Sequence, residues 1–334
     1  MVRLTNKNVT IRRAQLNSRL LQAKTDEEKQ HEIIEKLEQE FATITSELEK
    51  LNESQKDKEA RLDSIKAELT AKDTLLRETQ VAYHSDKTKL EQISNLAERY
   101  EGYGNSIKRV MEKKEEEKGI VGVIADIIKV EQKYETAIET ALGGNINNIV
   151  TDDEATAKKM INFLKENKLG RATFLPLTSI TNPQEFKQPE SLSEKGVIGM
   201  ACDIVDIKDE YRNVAKAMLG RIVVVDNVDN ALKIARKYDY GIRMVTVDGE
   251  LLAPGGAISG GAFKNNSNLL GRRREIDELT EKVKKSQMLI DDTNKAIDEI
   301  KKERNDLRFE LEKIKLEQQE MFLKQNSARL NVVN

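Results

Sequence analysis

The sequence predicts an α/β domain of two pseudo-repeated halves, inserted between two long helices that pair as an antiparallel intramolecular coiled coil. Three observations carry this. All 4 prolines (Pro176, Pro183, Pro189, Pro254) and all 17 glycines lie between Gly102 and Gly271. The two flanks carry an apolar heptad. The middle contains one unit twice.

The flanks come first. Residues 1–101 and 272–334 hold neither helix breaker, so nothing in them interrupts a helix. In the first arm one seam alternates spacings of three and four, from Ile34, Leu37, Phe41 and Ile44 through Leu62, Ile65 and Leu69 to Ala97 and Tyr100. The last arm repeats it from Ile276, Leu279 and Val283 through Ile290, Ile297, Leu307, Leu311 and Ile314 to Met321. Sustained over this many heptads, the pattern specifies a coiled coil. Lys58, Lys72, Asp86 and Arg304 interrupt the seam, and such polar residues can fix its register. The simplest closure pairs the arms within one chain, with Ile276 near Ala97. With a rise of ~1.5 Å per residue in both helices, Asn334 then lies opposite roughly residue 40. Residues 1–36 have no partner on this reading, which implies a longer protein whose second arm continues. Parallel pairing of two chains is the alternative, and it must crowd two inserts together.

The insert follows, as residues 102–271. GIVGVIADIIKVEQKYETAIETALGG begins at Gly119, and GVIGMACDIVDIKDEYRNVAKAMLGR begins at Gly196. Gly119 matches Gly196, Gly122 matches Gly199, Asp126 matches Asp203, Tyr134 matches Tyr211 and Leu142 matches Leu219. Each copy continues with an apolar strand (147–151, 221–226), a helix, and a closing strand (171–177, 242–248). The expected order is helix, strand, helix, strand, twice, in half-domains of about 119–177 and 196–262 joined by a proline-bearing linker, 178–195. Continuous runs such as IVVV suit strands covered on both faces. Similar halves expose similar sheet edges, and exposed edges seek partners.

Composition excludes several functions. Charged residues make up 34% of the chain but the formal net charge is −2, so only a local basic patch could hold nucleic acid. Cys202 is the single cysteine, so no internal disulfide and no CxxC metal or redox motif exists, which suits a reducing cytosol. It lies in an apolar stretch beside Asp203, which would raise its thiol pKa. His31 and His84 are the only histidines, far apart and outside the insert, leaving it no histidine base. Asp126 and Asp203 read as helix-start or turn residues rather than an acid pair. The N-terminus lacks a signal-peptide core, and no apolar run is long enough to cross a bilayer. No catalytic residue, metal site or cofactor is expected in this segment.

The stretch LLAPGGAISGGAF, 251–263, packs Gly255, Gly256, Gly260 and Gly261 into seven residues. A P-loop needs GxxxxGK[ST]; Gly255 to Gly260 has the glycine spacing, but Gly261 and Ala262 replace the lysine and the hydroxyl. Ile258-Ser259-Gly260-Gly261 has the look of an ABC-ATPase signature loop, which acts only opposite a P-loop. Close backbone approach remains: without Cβ atoms, this segment can add to a partner's sheet edge. A returning linker is the competing reading, but the glycines alternate with apolar Ala257 and Ile258.

Together the breaker-free coils, the GIVG and GVIG copies, GRATFLPL (170–177) and VTVDGELLAPGGAISGGA (245–262) resemble the hinge region of structural maintenance of chromosomes (SMC) proteins, above all bacterial SMC, the core of condensin. The resemblance covers about 102–271, and the flanking arms agree with it. It implies a homodimerising hinge that joins two arms. The ATPase heads, with their ATP and magnesium, would lie at the far arm ends with kleisin and accessory subunits. It assigns Gly255, Gly256, Gly260 and Gly261 to the dimer interface, where strands of two unlike half-domains pair twice by symmetry. A zinc-hook repair ATPase would need a CxxC at the coil apex, which is missing. The implied setting is cytoplasmic and nucleoid-associated, with no membrane partner.

A basic cluster suggests DNA. Lys264 and Arg272, Arg273 and Arg274 stand where the insert meets the second arm, and Lys113 and Lys114 lie near the end of the first. Paired arms would bring both sets together, giving weak, salt-sensitive, sequence-nonspecific binding. Glu115–Glu117 oppose it. The alternative function is a coiled-coil scaffold whose insert binds a nucleotide or another small ligand.

Overall fold

The computed structural model describes residues 2–262 and 268–333, with side chains described from Asn6 onward. The chain divides into two compact units, Met1–Gln80 with Met288–Asn334, and Val81–Gln287. Two long helices, α1 (Val2–Glu98) and α9 (Leu269–Val333), each contribute to both units.

In the first unit the helices run antiparallel within one chain. Gln325 Nε2 donates to Thr45 Oγ1 at 2.9 Å, Gln318 Nε2 to Asn52 Oδ1 at 2.8 Å, and Arg61 meets Glu303 through Nε at 2.8 Å and Nη2 at 2.9 Å. Numbers fall on one helix as they rise on the other. Ile65, Leu69 and Ile297 form the buried seam, flanked by Leu76, Ile300 and Leu307. Polar seam positions find partners across it: Lys58 pairs with Glu310, and Gln318 also donates to Gln55. Continuing the same register brings Val333 opposite Leu37. Every residue from 6 to 36 is exposed, and Leu37 is the first that is half-buried. Val9, Leu16 and Leu20 therefore extend the seam with nothing in this chain against them.

The second unit holds the insert. After the short helix α2 (Asn105–Met111) the first half runs β1 (Ile120–Val123), α3 (Ile124–Ile127), α4 (Glu135–Leu142), β2 (Ile149–Thr151), α5 (Glu154–Glu166) and β3 (Phe174–Pro176). The second half runs β4 (Val197–Met200), α6 (Ala201–Ile204), α7 (Arg212–Leu219), β5 (Ile222–Val225), α8 (Val228–Lys237) and β6 (Arg243–Thr246), then adds the hairpin β7 (Leu251–Leu252) and β8 (Ile258–Ser259). Each half thus opens with a strand, where the sequence suggested a helix. GIVG and GVIG are too short and too glycine-bearing to show period-two alternation.

The described strands make two sheets, β1-β2-β3 and β4-β5-β6-β7-β8. In each, the first pair is antiparallel and the second parallel. The register shifts at Gly122 in one and at Gly199 in the other, equivalent positions of the repeat. Asp153 and Asn227 cap α5 and α8 by accepting from Thr156 N and Asn230 N, which satisfies one otherwise unpaired donor in each first turn. β5 is buried along its whole length, as its uninterrupted IVVV requires.

The halves meet about a local two-fold. Lys129 N donates to Asp206 O at 2.8 Å, and Asp206 N returns to Lys129 O at 2.7 Å. These two residues are repeat equivalents, so the pair lies on the pseudo-symmetry axis. One continuous core from both halves surrounds it.

Candidate dimerisation interface and arm junction

The glycine-rich stretch resolves into two parts. Gly255 and Gly256, at φ 92° and 96°, turn the β7–β8 hairpin, a backbone region that favours glycine. Gly255 N donates to Tyr240 O at 2.9 Å and Ala253 N to Ala257 O at 2.8 Å, closing that turn. β8 follows as the outermost strand of its sheet, paired only with β7. Both its residues are exposed, and Ile258 shows 53% of its surface. Gly260 and Gly261 continue it. A Cβ on Gly261 would meet nothing within 4 Å, whereas one on Gly260 would come 3.0 Å from Glu250 Cγ. The first sheet likewise leaves β3 open along one side.

The arm junction is built on the first half. At the start of α9, Glu139 accepts Leu270 N at 3.0 Å, so a carboxylate satisfies an otherwise unpaired donor at the positive end of the helix. Glu135, whose side chain is 4% exposed, accepts Asn268 Nδ2 at 3.0 Å and pairs with Arg274, which also reaches Glu278 at 2.9 Å. Arg272 Nη1 donates to Glu101 O at 2.7 Å, tying α9 to the end of the first arm. Tyr100 Oη donates to Asp126 Oδ2 at 3.1 Å. Burial pushes the Asp126 carboxyl above its ordinary range, against the Tyr100 hydrogen bond and the charges of Arg273 and Lys114. Burial raises the Tyr100 and Tyr103 phenols too, with Asp126 adding to both. Asp126 is therefore a half-buried junction residue, while its repeat mate Asp203 is exposed.

Five of the six basic residues named from the sequence can be placed here. Arg272 and Arg274 are engaged as described, and Arg273 faces Asp126. Lys113 pairs with Glu116 at 3.0 Å and lies 5.6 Å from the Phe163 ring centre. Lys114 lies near Gly122 and Asp126. Lys264 falls outside the described residues. Cys202 is buried, with its thiol pKa raised first by burial and then by Asp203.

Sequence reasoning missed Glu135 and Glu139. A signal existed: their repeat equivalents are Arg212 and Lys216, so the copies differ in charge at the same helical face. The arms attach to the copy that carries the carboxylates.

A family model described as "SMC proteins Flexible Hinge Domain" matches residues 117–235. The crystal structure of an asymmetric dimer of the Geobacillus stearothermophilus SMC hinge domain is matched over 98% of its chain and 72% of this one, at 31% identity and a TM-score of 0.67. This chain belongs to the SMC hinge family. Chromosome partition protein Smc of Bacillus subtilis is 33% identical over 249 residues, 74% of this chain, and that of Clostridium kluyveri is 35% identical over 225 residues, 66% of it. The chain spans 21% and 19% of the length of those two relatives.

Proposed function

We propose that this hinge joins two copies of the chain through the outer edge of β8, making it the non-catalytic coupling element of a chromosome-partitioning ATPase. One observation carries the reading: a glycine-flanked edge strand that ends its sheet and exposes Ile258. Unpaired edges of this kind are ordinarily covered or blunted. The open side of β3 offers a matching edge, and a two-fold axis would use the β8–β3 pairing twice. The asymmetric dimer formed by the Geobacillus stearothermophilus SMC hinge domain supports dimerisation through this module.

Gly255, Gly256, Gly260 and Gly261 serve this interface in different ways. The first pair shapes the hairpin, and the second keeps side chains off the continuing edge. Ile258→Asp tests the idea best, because the residue is exposed and free of the Gly260–Glu250 contact. Sedimentation equilibrium at micromolar concentration should give dimer mass for the parent chain and monomer mass for the variant. A monomeric parent would sink the proposal.

The remaining roles rest on the family. Heads that bind ATP and magnesium, kleisin and accessory subunits would belong to the rest of the protein, in a nucleoid-associated, cytoplasmic setting. No described helix is long and apolar enough to cross a membrane. Weak DNA contact near the arm junction is part of this reading, carried by Lys113, Lys114 and Lys264. Arg272, Arg273 and Arg274 contribute less, since each already faces an acceptor or carboxylate. Lys113→Glu with Lys114→Glu should weaken a low-salt gel shift, and an unchanged shift would remove the DNA claim.

A further inference from the structure

A cleft of about 660 Å³ opens in the insert, bordered on one side by Leu251 and Pro254 of the β7–β8 hairpin. Its wall comes from both halves: the end of α4 (Thr140 to Gly143), the linker at Lys187 and Gln188, and the starts of β5 and β6 at Arg221 and Arg243. The parallel register sets Ile222 beside Arg243, so the two arginines begin neighbouring strands. Three cations therefore face one concavity, and none of the residues lining it is acidic. Arg221 gives Nη1 to the neutral oxygen of Gln184 at 2.7 Å. No carboxylate pairs with Lys187, Arg221 or Arg243 among the described residues.

Internal compensation is too small to explain the arrangement. The C-terminal ends of α4 and α7 reach the cleft through Leu142 and Met218. Two helix ends supply at most about one negative charge together, against three full positive ones. Lys187, Arg221 and Arg243 are exposed, and like charges gathered around one concavity raise its potential and favour an anion. Arginine forks in particular suit phosphate oxygens, which they can bind through two parallel hydrogen bonds. The volume falls inside the ~300–1,000 Å³ range of small-molecule sites. Gln188 adds a buried carboxamide oxygen with no partner, an acceptor that a sugar hydroxyl or base amine would satisfy.

We propose that Lys187, Arg221 and Arg243 form a phosphate-binding site between the half-domains, sized for one nucleotide unit. The phosphate could belong to a free nucleotide or to a nucleic-acid strand threading its backbone past the cleft. The site shares Leu251 and Pro254 with the β7–β8 hairpin but includes neither β8 itself nor Lys113 and Lys114.

The test uses the 334-residue chain at low salt. Calorimetry with ATP and fluorescence anisotropy with a labelled single-stranded 12-mer separate the two sources. Binding of either probe should weaken by at least about tenfold in Arg221→Ala/Arg243→Ala, because each lost contact is charge-assisted. Lys187→Ala, a loop change that leaves both strands intact, should weaken it about threefold or more on the same grounds. Lys58→Ala, in the outer coil, should leave it unchanged. For the oligonucleotide, the slope of log affinity against log salt should fall by about 1.4 in the double variant. Binding by ATP identifies a free nucleotide, and binding by the 12-mer alone identifies strand phosphates. Failure of both probes to bind overturns the proposal, as does equal binding by the parent chain and the Arg221→Ala/Arg243→Ala variant.

Discussion

Arg274→Ala puts the arm junction to the sharpest test. The parent pair places a carboxylate that is 4% exposed against a guanidinium that is 25% exposed. Removing the cation leaves Glu135 with the Asn268 amide alone, beside Glu139, whose carboxyl pKa burial and Glu135 already raise. Breaking a buried pair from one side costs about 3–5 kcal/mol. Water reaches part of Arg274, so a value near 2–3 kcal/mol is the reasonable expectation. For a unit of about 200 residues that is a fall in Tm of roughly 4–12 °C.

The readout is already in the chain: all 7 tyrosines lie within Val81–Gln287, and tryptophan is absent. Tyrosine fluorescence therefore reports this unit without the outer coil, provided protein concentration is held constant. Replacing both partners, Glu135→Met with Arg274→Met, should return most of the loss, because an apolar pair leaves no stranded charge. A single variant within about 0.5 kcal/mol of the parent would refute the assignment of Glu135 as the anchor of α9, that being the scatter of ordinary surface changes.

Further outcomes follow from the same geometry. The Asp126 and Glu139 carboxyls are raised by burial, so the folded state holds protons more tightly than the unfolded chain. Their contribution to stability therefore grows as pH falls from neutrality toward the raised values, and is lost as pH rises through them. Denaturant melts of Asp126→Asn between pH 4 and 7 should show a shallower slope than the parent, and an equal slope would reject the burial argument. Ile65 is fully buried in the coil seam, so Ile65→Ala should cost about 2–5 kcal/mol in far-ultraviolet melts of the helical arms. A change below about 1 kcal/mol would mean that the seam is not packed as described. Lys58→Ala, by contrast, breaks a partly exposed pair with Glu310 and should cost no more than about 1 kcal/mol by the same melts.

The arms were legible because a 3.5-residue period repeats over many turns, and their antiparallel pairing followed from the insert between them. The duplication was legible from its matched glycines, aspartates and tyrosines, and the structure converts it into the Lys129–Asp206 exchange. The opening strands were hidden because GIVG and GVIG are four residues long and glycine-interrupted. The first glycine pair was read for its bare surface, but its positive φ values belong to a turn that only the strand pairing reveals. Asp126 and Asp203 stand in the first turns of α3 and α6 as the sequence suggested, but nothing local shows that Tyr100 and Arg273 will cover Asp126. Arg272 and Arg274 looked free for the same reason, since Glu101 and Glu135 lie more than a hundred residues away and only Glu278 is local.

The clamp on α9 has a mechanical corollary. In the sequence β8 is the last strand before α9, so a bare connection would deliver any pull on that arm to a two-residue edge strand. Glu135 and Glu139 seize the helix at its first turn and divert the load into the opposite half, much as a cord grip protects the wire inside a plug. Tension along the arms is then borne by the half that holds both of them, and the β7–β8 hairpin is shielded from it.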